Sequence, residues 1–478
     1  MNNKMTEKIT PRDVDYAQWY TDVVKAARLC DYTDVKGCMI YLPNGQAIWE
    51  NIQNNIDKMF KETGVQNVYL PMLIPESLLQ KEKDHIAGFA PEVAWVTMGG
   101  NEELEERMCI RPTSETLFCN YWQKEVKSYR DLPKIYNQWC SVLRWEKTTR
   151  PYLRSREFLW QEGHTIHSTS KEAMERTLQM LDVYTTFCKD YLAIPMVTGQ
   201  KTSSEKFAGA ENTYTMEAMM HDGKALQSGT THYFGQGFAE AFNIKFLNKE
   251  NKLETVYETS WGISTRLIGA LIMVHGDDNG LVLPPKIAPV QVIIVPIASH
   301  KEGVMETSNE IYEDLKAKGI RVKIDDSDKT PGFKFNESEV QGIPIRIEVG
   351  PRDLENGEVT LAVRFTHEKE IVKLENICDE VTSKLDVIQK GMLEKATQFV
   401  NSHIYEAKTM DEMIEIASTK EGFIKADWCG EEECEDKIKE LTGGAGSRCI
   451  PFEDKLLTGK CICCGKDAKH NVIWGKSY

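Results

Sequence analysis

Long hydrophobic runs are missing from this 478-residue sequence: nothing approaches the roughly 18 uninterrupted apolar residues needed to cross a bilayer. Its most apolar run, LVLPPKIAPVQVIIVPI, is interrupted by four prolines and a lysine. The opening MNNKMTEKITPRDVDYAQWY has no apolar core ahead of a cleavage site. Neither a secretory leader nor a membrane anchor is expected, and the expected location is cytoplasmic. An excess of positive charge is missing as well. Lys and Arg number 58 against 73 Asp and Glu, a formal net charge of −15, which excludes bulk attraction to phosphate backbones but leaves room for a local basic groove. Cysteine is not scarce, yet the framework of a secreted disulfide protein is absent. Of thirteen cysteines, seven stand singly in the first 400 residues and six crowd the last fifty. Nor is there an internal repeat or a low-complexity tract. What remains, 41% hydrophobic and 27% charged, is a globular chain with room for several domains and a large core.

From Gly45 to Gly64, GQAIWENIQNNIDKMFKETG sets Ile48, Ile52, Ile56 and Phe60 four apart, which predicts one helical face ending at a glycine. VYLPML then reads as a strand. Onward to about Pro284, strand-like runs such as TYTMEAMM alternate with helical ones such as KEAMERTLQMLDVYTTFCKDYL, the pattern of one large mixed domain over residues 1–284. Pro284, Pro285 and Pro289 cannot continue a regular ladder and mark a boundary. Beyond it VQVIIVPI, EGVMETSNEIYEDLKAKG, RVKIDD, PIRIEVG and VTLAVRF alternate strand and helix in a small α/β domain, residues 285–403. A long helical segment, about Lys373 to Ala417, leads into a cysteine-rich tail within residues 404–478.

One stretch, CSVLRWEKTTRPYLRSREFLWQEGH from Cys140 to His164, is dense in both charge and aromatics. Arg144 and Arg154 flank KTTRPY, which reads as a hairpin turn, and guanidinium forks on adjacent strands can grip a polyphosphate from two sides. Glu146 could accept from the exocyclic amine of a base, and Phe158, four residues after Arg154, is spaced to stack on one. A solvated, charge-rich hairpin fits the same spacing. In the tail, Cys429 and Cys434 are followed some thirty residues later by Cys461, Cys463 and Cys464, a pattern that suits a tetrahedral four-thiolate zinc site. A two-residue spacer favours Cys461 with Cys464, with Cys463 as the other choice. Reduced structural thiols are the alternative, and Cys449 in RCIPF reads as one.

Arg144-Trp145-Glu146, a loop, then Arg154 and Phe158 resemble the second signature motif of class II aminoacyl-tRNA synthetases. RPYLRSREFLWQEGH is similar to the same region of prolyl-tRNA synthetases of the eukaryote and archaeon-like type. RPTSET, FAGAENTYTMEAMM, LQSGTTHYFGQGF, SWGISTR and PIRIEVGPRDL resemble that family in the expected order, over essentially the whole chain. The resemblance implies an α/β (α+β) fold: a catalytic domain on a mainly antiparallel sheet flanked by helices, an α/β anticodon-binding domain, and a small zinc-binding α/β C-terminal domain. It implies that ATP and L-proline give prolyl-adenylate and that the prolyl group then passes to tRNA(Pro). Carried over residue by residue, Arg144 holds the α-phosphate and the proline carboxylate, Arg154 the outer phosphates, and Arg266 covers adenine opposite Phe158. Glu146 reads the adenine amine, and Gln227, Thr230 and Ser264 make further ATP contacts. Thr113 and Glu115 receive the proline ammonium, while Trp160, Glu162, His164, Phe207 and His232 shape its pocket. Mg²⁺ is implied on the phosphates, and a structural Zn²⁺ on Cys429, Cys434, Cys461 and Cys464. A homodimer is implied through KGCMIYLPNGQAIWENIQNN with its Pro43. Only about 100 residues separate Glu162 from Ser260, which leaves no room for the editing insertion of bacterial-type enzymes. Lys334, Glu337, Glu348 and Arg352 are candidate readers of anticodon bases, and the terminal Tyr478 is expected near the active site. Two rivals stand beside this reading: an inactive paralogue that only binds RNA or a partner, and another class II synthetase, such as the threonyl or histidyl enzyme.

Overall fold

A computed structural model describes residues 9–81 and 93–478. The first eight residues of the opening stretch lie outside the described residues. Helix α1, Pro43–Glu62, begins with proline at a position where the missing N–H costs nothing. Its Ile48, Ile52, Ile56 and Phe60 are all buried, as their spacing predicts. Each such side chain contributes roughly 1.5–3 kcal/mol relative to exposure. VYLPML, in contrast, is not a strand. Short strand β1, Gln66–Asn67, ends just before it, and β2, Leu73–Pro75, takes in only its last residue. Pro71 has no N–H for a ladder, and Leu70 N donates to the side-chain oxygen of Gln138 at 3.0 Å instead of to a neighbouring strand.

β3, Ala94–Gly99, and β4, Glu102–Ile110, join β2 in a small three-stranded sheet. Helix α2, Glu115–Glu125, follows, and then the strands of the main sheet. These are β5, Lys134–Leu143; β6, Glu157–His167; β7, Val197–Gln200; β8, Asn212–Met219; β9, Ala225–Gly235; and β10, Tyr257–Ser264. Helix α3, Ser170–Asp190, packs behind β9 and β10, and α4, Arg266–His275, starts directly after β10. Arg144 and Arg154 are not on adjacent strands as expected. Both lie in the connection between β5 and β6, where Glu146 N donates to Arg144 O at 2.7 Å in a tight turn.

β11, Val292–Pro296; α5, Val304–Ala317; β12, Val322–Ile324; α6, Pro331–Val340; β13, Ile345–Val349; β14, Glu358–Val363; and β15, Lys369–Lys373 make a separate five-stranded sheet with its helices. Its order is β12-β11-β13-β14-β15. The helix expected from Lys373 to Ala417 is two helices. α7, Ile377–Ser402, stops at His403; β16, Ile404–Glu406, pairs with a later strand; α8, Met410–Thr419, restarts behind a Thr409 cap that accepts from Glu412 N at 3.2 Å.

The tail adds β17, Phe423–Trp428; α9, Glu432–Leu441; β18, Gly446–Pro451; and β19, His470–Gly475. These strands do not form a sheet of their own. Pairing of Ile450 with Gln200 and Pro451 with Gly199 fuses them to the main sheet, whose order is β16-β17-β19-β18-β7-β8-β9-β10-β6-β5-β1. Its pairs are antiparallel except at the two ends, where β16 with β17 and β1 with β5 run parallel.

Candidate active site

Four strands and two helix starts enclose one cavity of about 230 Å³. Side chains alternate across a strand, so Phe158, Trp160, Glu162 and His164 all leave the same face of β6. Register sets Gln138 of β5 and Gly262 of β10 on either side of Glu162. Gly163 points the other way, where a β-carbon would lie 2.0 Å from the Trp261 ring. Glycine is therefore required for that indole to pack beneath the site. β9 contributes Gln227, Thr230 and His232, and Ser264 ends β10 just before Arg266 opens α4. Thr113 and Glu115 enter from the start of α2, and Phe207 from the loop between β7 and β8.

A buried polar network runs beneath one end. Glu162 accepts from Ser114 N at 3.0 Å, Ser114 Oγ at 2.5 Å and Gln138 Nε2 at 2.6 Å. It lies 3.0 Å from His164 Nε2. Burial opposes its charge, yet the bonds from His164, Ser114 and Gln138 outweigh burial and hold its carboxyl below the usual range. His164 shows the mirror image. Burial disfavours the imidazolium, but Glu162 raises its pKa, and Phe118 stacks on the ring at 4.3 Å. Both nitrogens of His232 lie 3.0 Å from hydroxyls, those of Thr213 and Thr230. Burial first, then the charges of His164 and Arg144, push its pKa down to about 3. It is neutral at physiological pH, and its ring lies against Phe207 at 4.6 Å. Thr113 Oγ1 donates to Glu115 at 2.5 Å.

Positive charge gathers at the other end. Arg144 sits over the rings of Phe158 and Trp160, 5.6 and 5.3 Å from their centroids, with Nε donating to Pro112 O at 3.1 Å. Arg266 donates to Leu153 O and Gln227 O, both at 3.1 Å. Burial, then the charges of Arg144 and Arg154, pull its pKa down to about 10. Arg154 and Glu146 are not in the cavity wall. They pair at 3.6 Å beside it, with the Arg154 side chain half exposed. The site thus offers clustered cations at one end and an acidic, aromatic recess at the other. An anion rich in oxygen fits the first, and a small apolar ammonium fits the second.

The tail gathers Cys429, Cys434, Cys461 and Cys464, all four Sγ atoms within 4.8 Å of one another. Cys429 and Cys464 are 3.8 Å apart, which matches the roughly 3.8 Å between sulfurs around tetrahedral zinc. Cys463 is not part of this group of four thiols. Among the anticodon candidates, Lys334 donates to Asp325 O at 2.7 Å, Glu337 pairs with Lys329 at 2.5 Å, and buried Glu348 pairs with Arg346 and Lys369. Arg352 is exposed. Tyr478 donates its hydroxyl to Asp222 at 2.5 Å, and its backbone N–H to Ala225 at 3.2 Å, at the start of β9.

Residues 95–275 match the tRNA synthetase class II core domain (G, H, P, S and T), and residues 291–384 the anticodon binding domain. Residues 410–478 match the prolyl-tRNA synthetase C-terminal family. The proline–tRNA ligase of Lachnoclostridium phytofermentans is 61% identical over 477 residues, covering 100% of this chain and 99% of that protein. The chain belongs to the prolyl-tRNA synthetase family. The proline–tRNA ligase 2 of Bacillus cereus is 60% identical over all 478 residues. The crystal structure of prolyl-tRNA synthetase from Cryptosporidium parvum, solved with halofuginone and AMPPNP, is similar at a TM-score of 0.94 and 42% identity. It covers 98% of this chain and 99% of its own.

Several members of the site escaped the sequence reading. Ser114 and Gln138 hold Glu162, and Thr213 holds His232; each could be found only by knowing the strand register and where α2 begins. Glu205 lines the cavity from the same loop as Phe207. Lys201, just past β7, and Glu217 of the neighbouring β8 form a fully buried ion pair at 2.7 Å, although charged residues on neighbouring strands carry no signal of pairing in sequence.

Proposed function

We propose that the chain activates L-proline with ATP and transfers the prolyl group to tRNA(Pro). The observation that carries this is one cavity that joins clustered arginines to a small acidic and aromatic recess, in a chain whose relatives named proline–tRNA ligase match it end to end. In the first step a proline carboxylate oxygen attacks the α-phosphorus, and the bond to the β-phosphate breaks as pyrophosphate leaves. Negative charge builds on phosphate oxygens without a protein nucleophile, so positioned guanidinium groups supply most of the stabilisation. Arg144 serves the α-phosphate and the proline carboxylate, Arg154 the outer phosphates, and Arg266 with Phe158 the adenine. Glu146 reads its exocyclic amine, and Gln227, Thr230 and Ser264 complete the nucleotide contacts. In the second step a hydroxyl of the terminal adenosine attacks the prolyl carbonyl, and AMP leaves.

Thr113 and Glu115 receive the secondary ammonium, with Trp160, Phe207 and His232 around the ring. Glu162, whose oxygens are already engaged by Ser114, Gln138 and His164, shapes this end and keeps His164 in place. Mg²⁺ keeps several waters and binds largely through phosphate oxygens; exposed Glu205 at the rim fits the one or two carboxylates it would need. Zn²⁺ fits Cys429, Cys434, Cys461 and Cys464, where it would tie β17 and α9 to the later loop as a structural ion. Residues 1–284, 285–403 and 404–478 are read as catalytic, anticodon-binding and zinc-binding units.

The chain is read as the type without an editing insertion, because between β6 and β10 lie only α3, core strands, the short helix Gly237–Ala241, a hairpin of Lys245–Leu247 with Leu253–Thr255, and short connections. It is read as a cytoplasmic homodimer. No described helix is long and apolar enough to cross a membrane, and Tyr69, Met72 and Leu73 are exposed beside edge strand β1. α1 turns its apolar face to its own core, so this edge, rather than that face, suits a second copy. The test is ATP–pyrophosphate exchange with each of the twenty amino acids. Proline should dominate, with slow exchange on alanine, since a pocket rejects smaller analogues by only about 1–3 kcal/mol per methylene. Exchange driven by threonine or histidine, or by no amino acid, overturns the reading.

A further inference from the structure

The loop that carries Phe207 is held from outside the core. Thr202, buried at its start, accepts at its carbonyl from Glu205 N at 3.2 Å and Lys206 N at 3.0 Å, which closes a turn ahead of Phe207. Phe207 N then donates to Thr213 Oγ1 at 3.0 Å, beside His232. Within the turn Thr202 Oγ1 lies 3.1 Å from Ser204 Oγ, and both hydroxyls also reach the C-terminal unit. Thr202 Oγ1 donates to Glu435 Oε1 at 3.0 Å, and Ser204 Oγ donates to Glu435 Oε2 at 2.8 Å. Glu435 lies on α9, is 5% exposed, and adjoins Cys434 of the thiol cluster. Ser447 of β18 donates to the same carboxylate.

A buried carboxylate satisfied by hydroxyls from both sides joins the two units firmly, because removing it strands several donors at once. We propose that Glu435 is a positioning residue through which the cysteine-rich C-terminal unit sets the turn at residues 202–206, and with it the place of Phe207 over His232 in the amino-acid recess. This rests on the reading of that recess as the proline pocket. It predicts that a change far from the nucleotide end alters the handling of proline while ATP binding stays as it was.

The experiment uses the full-length protein with two substitutions, Glu435→Ala and Thr202→Val; the second keeps its side-chain shape and removes only the loop-side hydroxyl. Hydrogen exchange of the segment 201–210 is followed by mass spectrometry without any substrate, and KM for proline and for ATP is measured by pyrophosphate exchange. Each variant should speed exchange of the segment and raise KM for proline about tenfold, as expected for losing a charge-assisted hydrogen bond, with KM for ATP unchanged. The double variant should do no more than Glu435→Ala alone, because that change already removes the contact that Thr202→Val cuts. Unchanged exchange of 201–210 in both variants, additive effects, or equal rises in both KM values overturn the proposal. Should wild type show no proline-dependent exchange of pyrophosphate, the pocket assignment fails, while hydrogen exchange still decides whether Glu435 holds the loop.

Discussion

Acidification should weaken this fold through His232 in a way that one substitution isolates. An unfolded histidine titrates near 6.5, whereas burial and the nearby His164 and Arg144 charges hold His232 near 3. The folded state therefore binds this proton less readily than the unfolded chain. Stability is intact above about 6.5, falls as pH drops, and stops falling near 3. At pH 5 the gap covered is about 1.5 units, which at about 1.4 kcal/mol per unit amounts to a loss of about 2 kcal/mol. His167, His221 and His275, each pushed down to about 4 by burial first, add losses of the same sign. Those losses are common to wild type and variant and cancel in a comparison. Glutamine at 232 can bond the Thr213 and Thr230 hydroxyls but does not titrate. Urea unfolding followed by tryptophan fluorescence at pH 8 and pH 5 should show His232→Gln losing about 2 kcal/mol less than wild type. Equal losses in the two proteins would show that His232 is protonated in the folded state, and the account of a neutral, doubly bonded imidazole would be wrong.

Arg144→Ala should lower proline-dependent pyrophosphate exchange by about a thousandfold with an unchanged circular dichroism spectrum; near-normal exchange refutes its role. Glu162→Gln should destabilise the core most between about pH 4.5 and 6.5. Glu162, held below 4.5, loses its contribution as pH falls from 4.5 through its lowered value, while His164, held above 6.5, loses its own as pH rises from 6.5 through its raised value. A stability difference from wild type that does not vary with pH argues against the coupled pair. Cys464→Ser should lower zinc content on metal analysis and Cys463→Ser should not; equal zinc in the two variants contradicts the four-thiolate assignment.

Much of the fold follows from local pattern. The four-residue spacing in α1 survives because a helix repeats near that interval, and the runs that became β8, β11, β13 and β14 are legible because β-branched and apolar residues cluster between turn signals. VYLPML misleads because its composition suits a strand while Pro71 breaks the ladder and a glutamine side chain supplies the missing bond. The segment from Lys373 to Ala417 misleads because its helical composition runs on past the interruption at His403. What converts the stretch into β16 is pairing with β17, twenty residues further on, and a contact across that separation leaves no mark on local composition.

Sequence alone determined the residue types: guanidinium groups at 144, 154 and 266, an alternating Phe158-Trp160-Glu162-His164 face, and thiols at spacings that suit zinc. Those are properties of covalent order and strand periodicity, and they hold wherever the chain folds. Only the tertiary structure decided which of them share a space. Strand register brought Gln138 to Glu162 and Thr213 to His232, burial left one histidine ready to hold a proton and its neighbour unable to, and fusion of the tail to β7 carried Glu435 to the loop of the amino-acid recess. Distances between elements and exclusion of water set those outcomes, and neither is written in the order of residues along a chain.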